Sequence, residues 1–154
     1  MDIEAKLTEL KLTLPAAPKP IAAYVPAVRT GDLLFISGQV PLVDGKPMAE
    51  GAVPGKVDIE TAQQCARQCI LNGLAVVKDQ LAGDWTKLRW VVRIGVFVQS
   101  NKDFAGQSQV ANGASELLVE LLGEAGKHAR AAVGVNALPL NCPVEVELLV
   151  EVSG

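Results

Sequence analysis

A chain of 154 residues, 49% of them hydrophobic, is long enough for one domain with a real core and too apolar to be disordered. Its net charge of −3 and pI near 5.2 give no electrostatic footprint for nucleic acid, so a nucleic-acid partner is not expected. No apolar run is long enough for a membrane helix, and Met1-Asp2-Ile3-Glu4-Ala5-Lys6 is charged where a secretion signal would be apolar. With three cysteines, an odd number, the chain reads as a cytoplasmic protein with reduced thiols.

Ile3, Leu7 and Leu10 have helical spacing, which predicts a short amphipathic helix over residues 2–11. Pro15, Pro18 and Pro20 then enforce an extended linker, so residues 1–21 form an appendage to a single domain. Ala22 to Arg29 is an edge-strand candidate because of Pro26, Thr30-Gly31-Asp32 a turn, and Leu33 to Gly38 a buried strand. Residues 39–56, rich in Pro and Gly, predict a long irregular loop.

Asp58 is placed to cap a long helix. Ala62, Cys65, Ala66, Cys69, Ile70, Gly73, Leu74, Val77 and Leu81 form its apolar stripe, and Gly83 ends it. Cys65 and Cys69 could share a metal, but with no second ligand pair they read as core, and no metal or cofactor is expected. Leu88 to Val98 is a strand by alternation. Its Leu88, Trp90, Val92, Ile94, Val96 and Val98 parity faces the helices, so Trp90 reads as core. Its other face carries Val91 and Phe97. Asp103 is a candidate cap for a second helix running from Phe104 to Leu121 and closed by Gly123 and Gly126. Arg67 and Asn72 read as structural residues on the first long helix. His128, the lone histidine, reads as a surface residue, and Cys142 as structural.

The last segment carries the chemistry. Two strands are joined by a loop containing Pro139 and Pro143. Arg130, Ala132, Gly134 and Asn136 share one parity of the first strand. Val144, Val146, Leu148, Val150 and Val152 share one parity of the second, opposite Glu145, Glu147 and Glu151. Arg130 and Glu145 both fall on the polar parity. Two readings stay open here. One is a solvated sheet face with a cross-strand ion pair. The other is a cation in a small-residue notch that holds a carboxylate ligand bidentately. The element order is β-β-α-β-α-β-β, which predicts an α+β sheet with two helices on one face. The other face, too apolar for water and too polar for a core, predicts self-association.

These residues resemble the RidA/YjgF family of reactive-intermediate deaminases, whose members are also described as endoribonuclease L-PSP. Tyr24-Val25, Thr30-Gly31 and Ile36-Ser37-Gly38-Gln39-Val40-Pro41 are similar to its N-terminal signature. Ala66-Arg67-Gln68 with Asn72, Val96-Phe97-Val98 and Asp103-Phe104 are similar to its middle. Ala129-Arg130 and Glu145-Val146-Glu147, with the arginine and glutamate 15 apart (145 − 130), are similar to its C-terminal signature. The resemblance runs from about Tyr24 to Glu151. It implies a chorismate-mutase-like (YjgF-like) fold, a homotrimer with clefts between subunits, and hydrolysis of small 2-imino acids to 2-keto acids and ammonia. It implies Arg130 as carboxylate anchor and Glu145 as the residue that orients or activates water. It implies a backbone contact at Ala132, with Tyr24, Ser37, Gly38 and Asn112 lining the cleft. Many deaminases carry a cysteine two residues after the arginine and a glutamate four after it. Ala132 and Gly134 stand there in this chain. Carboxylate binding without turnover, or the endoribonuclease activity described for some members, are the alternatives.

Overall fold

Asp58 starts the central helix: its carboxylate accepts from the Thr61 amide at 2.7 Å, satisfying one of the free N–H groups of the first turn. The computed structural model describes residues 2–18 and 23–154. That helix, α2, spans Ile59–Gln80, after which Ala82 and Gly83 both take positive φ and turn the chain out. The apolar stripe is buried as expected, and Leu71, Ala75 and Val76 are buried beside it. Burying Ile70, Leu74 and Val77 contributes about 1.5–3 kcal/mol each.

The first helix, α1 (Ile3–Glu9), is capped by Asp2. It is expected as an appendage. Instead Ile3 and Leu7 lie in the common core, and Glu4 accepts from the Trp85 indole N–H at 2.8 Å. Pro20 of the linker lies outside the described residues. Strand β1 is Ala27–Thr30, shorter than the expected strand. Ala22 lies outside the described residues, and the strand opens only after Pro26, which has no N–H for the ladder. Strand β2 is Leu33–Gln39. The loop that follows is not wholly irregular. Asp44 and Gly45, both at positive φ, turn a hairpin between β3 (Leu42–Val43) and β4 (Lys46–Pro47). Asn72 on α2 ties down the approach to this hairpin, donating to the carbonyls of Val40 at 3.0 Å and Leu42 at 3.2 Å.

Strand β5 (Leu88–Gln99) breaks the simple alternation. Its pairing shifts between Leu88 and Trp90 and again between Val91 and Arg93. Each irregularity moves side chains to the other face. Val91 therefore enters the core, while Trp90 is 42% exposed and donates its indole N–H to the Lys127 carbonyl. The reading of Trp90 as core and of Val91 on the outer face is thus corrected. Helix α3 spans Gln107–Leu122 and is capped by Gly106, not Asp103; Phe104 precedes the helix and packs on the core. Gly113 lets α3 approach α2, since a Cβ there would collide with the Gln63 carbonyl. Gln63 also donates to the Gln109 carbonyl, and Arg67 pairs with Glu120 at 3.0 Å, so the two helices are clasped at their surface.

Strands β6 (Ala129–Val135) and β7 (Val144–Val152) complete a five-stranded sheet in the order β1-β2-β7-β5-β6. Only β5 and β6 are parallel. The result is the mixed α+β architecture expected, with the β-β-α-β-α-β-β order of the main sheet augmented by α1 and the β3–β4 hairpin. Both long helices pack on one face. The opposite face stays open and exposes Val28, Phe35 and Val133 around the Arg93–Glu147 ion pair. Among the described residues no helix is long and apolar enough to cross a membrane.

Candidate functional site

Site residues fall into two groups on opposite faces of the sheet. The first group centres on a bulge. Between Ile36 and Gln39 the β2–β7 register shifts, so Ser37 and Gly38 form the bulge while Ile36 and Gln39 both turn to the core. Ser37 is held from both sides. Its hydroxyl donates to the Val25 carbonyl at 2.8 Å, its amide donates to Pro26, and its carbonyl accepts from Gln39. These bonds fix the chain just after Tyr24, whose ring is 65% exposed. Tyr24, Ser37 and Gly38 line a cleft of about 450 Å³, closed on other sides by Pro15, Pro18 and Asn72.

Glu145 stands against this bulge. A Cβ at position 38 would collide with its Oε1, so only glycine admits the carboxylate there. Glu145 points to the open face, opposite Phe97 on β5. Burial pushes its carboxyl above the ordinary glutamate range, and the nearby Glu147 pushes it the same way. A carboxylate with a raised pKa is a stronger base near neutral pH than a free one. Gly38→Ala is therefore expected to displace this carboxylate and to cost about 1–3 kcal/mol of stability from overpacking. An unchanged melting temperature would dissociate the two residues.

The second group centres on Arg130. The parallel register places Arg130 beside Ile94, Ala132 beside Val96 and Gly134 beside Val98, all three partners being core residues on the helix side. Arg130 thus faces α3, not the open face. Its Nη1 donates to Asn112 Oδ1 at 2.9 Å and to Ser115 Oγ at 3.0 Å. The cross-strand pair with Glu145 therefore does not form within the chain. The shared polar face predicted for Arg130 and Glu145 is corrected by the register: small residues on the parity of Arg130 line the rim of the helix face. Among the described residues no carboxylate lies within 4.0 Å of Arg130, and Nε and Nη2 have no protein acceptor. An arginine held by two neutral groups keeps its charge for an anion.

His128 departs from its expected place on the surface. It is half-buried, with Nε2 2.9 Å from Ser115 Oγ and Nδ1 2.6 Å from the Gly126 carbonyl. Burial lowers its pKa and outweighs the hydrogen bond to Gly126, which raises it; the nearby Arg130 lowers it further. Ser115 was not legible as a site residue. Its signal is the three-residue step from Asn112, which puts both on one helix face. The three cysteines are all buried and free. Burial pushes the Cys65 thiol up to about 11, so it stays protonated and unreactive. Among the described residues no cluster of His, Cys, Asp or Glu is arranged to hold a metal.

The chain folds as a mixed α+β domain, with Arg130 on the edge strand β6 facing the helices and Glu145 held against a bulge from the central strand β7. The chain belongs to the Endoribonuclease L-PSP family, also called RidA/YjgF, whose profile matches residues 14–152. It is 40% identical to Protein TCP17 of Trypanosoma cruzi over 98% of this chain and 94% of that protein. It is 29% identical to the 2-iminobutanoate/2-iminopropanoate deaminase of Dermatophagoides farinae over 92% of this chain and 95% of the other. Among solved structures, Atu1372 of Agrobacterium tumefaciens superimposes with a TM-score of 0.93 at 46% identity, covering 98% of this chain and 92% of that one.

Proposed function

We propose that this protein hydrolyses small reactive 2-imino acids to 2-keto acids and ammonia, at clefts formed between the subunits of a homotrimer. The observation that carries the reading is the charge of Arg130 at the rim of the sheet, with no carboxylate within 4.0 Å among the described residues. Arg130 takes the substrate carboxylate. Ala132 offers backbone beside it. Glu145 accepts a proton from water, whose oxygen bonds to C2 of the imine. As the C=N π bond breaks, Glu145 passes this proton to nitrogen; a second proton then moves from the new hydroxyl to the amine, and the C–N bond breaks as C2=O forms, so ammonia leaves with a keto acid behind. No cofactor enters this balance. General-base assistance of this kind contributes about 10²–10⁴ in rate.

A single chain does not bring Arg130 to Glu145, because they occupy opposite faces. A second copy covering the exposed Val28, Phe35 and Val133 supplies the missing half and buries apolar surface that one chain leaves wet. Tyr24, Ser37 and Gly38 then belong to the same cleft as Asn112 and Arg130 of a neighbouring subunit. We place the protein in the cytoplasm, a reducing setting that suits three free thiols. Binding of a carboxylate metabolite without turnover is the second reading; Ala132, where many family deaminases carry cysteine, favours it. The endoribonuclease activity in the family's description sits poorly with a net charge of −3.

The deciding experiment generates 2-iminobutanoate in place with an amino-acid oxidase and follows release of 2-oxobutanoate. Wild type is expected to accelerate release. Arg130→Ala and Glu145→Ala are expected to be inactive alone, and a co-refolded mixture to recover part of the activity. Failure of the wild type to accelerate release would leave carboxylate binding as the function. An active wild type with no recovery in the mixture would place both residues in one subunit's site.

A further inference from the structure

Arg130, Ser115, His128 and Gly126 form one directed chain of hydrogen bonds. The Gly126 carbonyl can only accept, so the His128 Nδ1 at 2.6 Å carries the proton. Burial and the neighbouring Arg130 hold the pKa of the ring below its ordinary value, so at neutral pH the second nitrogen carries no proton and Nε2 is an acceptor. Ser115 Oγ, 2.9 Å away, therefore donates its single proton to Nε2. With that proton committed, the Ser115 oxygen offers only lone pairs to Arg130 Nη1 at 3.0 Å. Each link fixes the direction of the next, and bonds polarised this way strengthen one another. Asn112 Oδ1 at 2.9 Å accepts from the same Nη1. Both acceptors lie on α3, and the chain ends on the backbone just before β6.

We infer that Ser115 and His128 are positioning residues that lock the Arg130 guanidinium, so that Nε and Nη2 face the ligand as a rigid fork. The value of the arrangement lies in preorganisation. A free arginine loses rotamer freedom when it captures a carboxylate, and a held one has already lost it. His128 sets the direction of the relay. Without it the Ser115 hydroxyl can rotate and aim its proton at the guanidinium, turning an acceptor into a competitor. Gly126 admits the turn that brings His128 to Ser115, because a Cβ there would collide with the Leu118 carbonyl. The inference deepens the proposed function and rests on it only for the identity of the ligand.

Two readouts separate the inference from the reading beneath it. The first needs no ligand: the guanidinium Nη resonances of Arg130, assigned by their loss in Arg130→Ala. In wild type, Nη1 and Nη2 are expected as separate signals from a guanidinium that rotates slowly. In Ser115→Ala and His128→Ala they are expected to average. In His128→Gln, whose amide oxygen can accept from Ser115, they are expected to stay separate. Separate signals in both alanine variants, or averaged signals in wild type, would overturn the inference. The second readout is affinity for 2-oxobutanoate. Loss of one such hydrogen bond weakens binding about fivefold. Ser115→Ala and His128→Ala should each show that loss, and the double variant no more than either, because they act through one bond. If wild type and Arg130→Ala bind 2-oxobutanoate equally, the carboxylate reading fails while the resonances still decide the lock.

Discussion

On the proposed hydrolysis, Arg130→Ala is expected to lower kcat/KM for 2-iminobutanoate by about 10²–10⁴-fold and to leave the protein folded. The size follows from two charge-assisted hydrogen bonds to the substrate carboxylate, worth about 1.5–3 kcal/mol each, against 1.36 kcal/mol per tenfold in rate. The fold should survive because Arg130 is exposed on an edge strand and, among the described residues, bonds only to two neutral side chains of α3. Removing an exposed arginine leaves no buried charge behind, so the melting temperature should move little. Steady-state kinetics together with a thermal melt check both halves. A variant that keeps its kcat/KM would place the carboxylate elsewhere. A variant that unfolds would make Arg130 a structural residue. Arg130→Lys should rescue only in part, because an ammonium keeps the charge and loses the planar fork.

On the same proposal, Glu145→Gln is expected to lower kcat by about 10²–10⁴-fold while affinity for the product keto acid stays within a few-fold of wild type. In the proposed mechanism, binding needs the arginine and turnover needs the carboxylate. The same variant carries a stability signature with the opposite sign. The folded-state pKa of Glu145 lies above its ordinary value through burial and Glu147. The folded protein therefore holds this proton more tightly than the unfolded chain, and ionisation destabilises the fold as pH rises through that window. Below the unfolded pKa both states are protonated and the penalty vanishes. Glu145→Gln should thus melt at or above wild type at neutral pH, with the gain disappearing in acid. In the wild type, the acidic limb of the kcat–pH profile should lie above the range of an unperturbed glutamate. A limb at or below that range would remove Glu145 as the base.

The helices were legible because capping and spacing agree with packing. Asp58 and the stripe through Val77 mark α2 without ambiguity. The β7 alternation also holds, since a central strand has a core on one face only. Legibility fails where registers shift. Two irregularities in β5 exchange Trp90 for Val91, and alternation alone carries no sign of them. The face of Arg130 failed for a related reason. On the edge strand β6, alanines and glycine leave both faces weakly marked, so only pairing with Ile94, Val96 and Val98 tells which side is which. Asp103 is a good cap by type, yet Phe104 packs on the core and delays the helix to Gly106. The four residues around Arg130 come from α3 and the turn before β6, and their meeting is a property of the parallel crossover.

With the proposed base Glu145 and anchor Arg130 on opposite sides of one five-stranded sheet, the proposed assembly would give the protein an intrinsic concentration switch. A chain that builds its reaction centre from two copies has specific activity that follows mass action. Dilution below the assembly constant would silence it with no change in any subunit's fold. A single defective chain in a ring would disable the clefts to which it contributes and spare the rest. In a cell producing wild-type and damaged copies together, output would then fall more steeply than the intact fraction, because each cleft needs two intact neighbours.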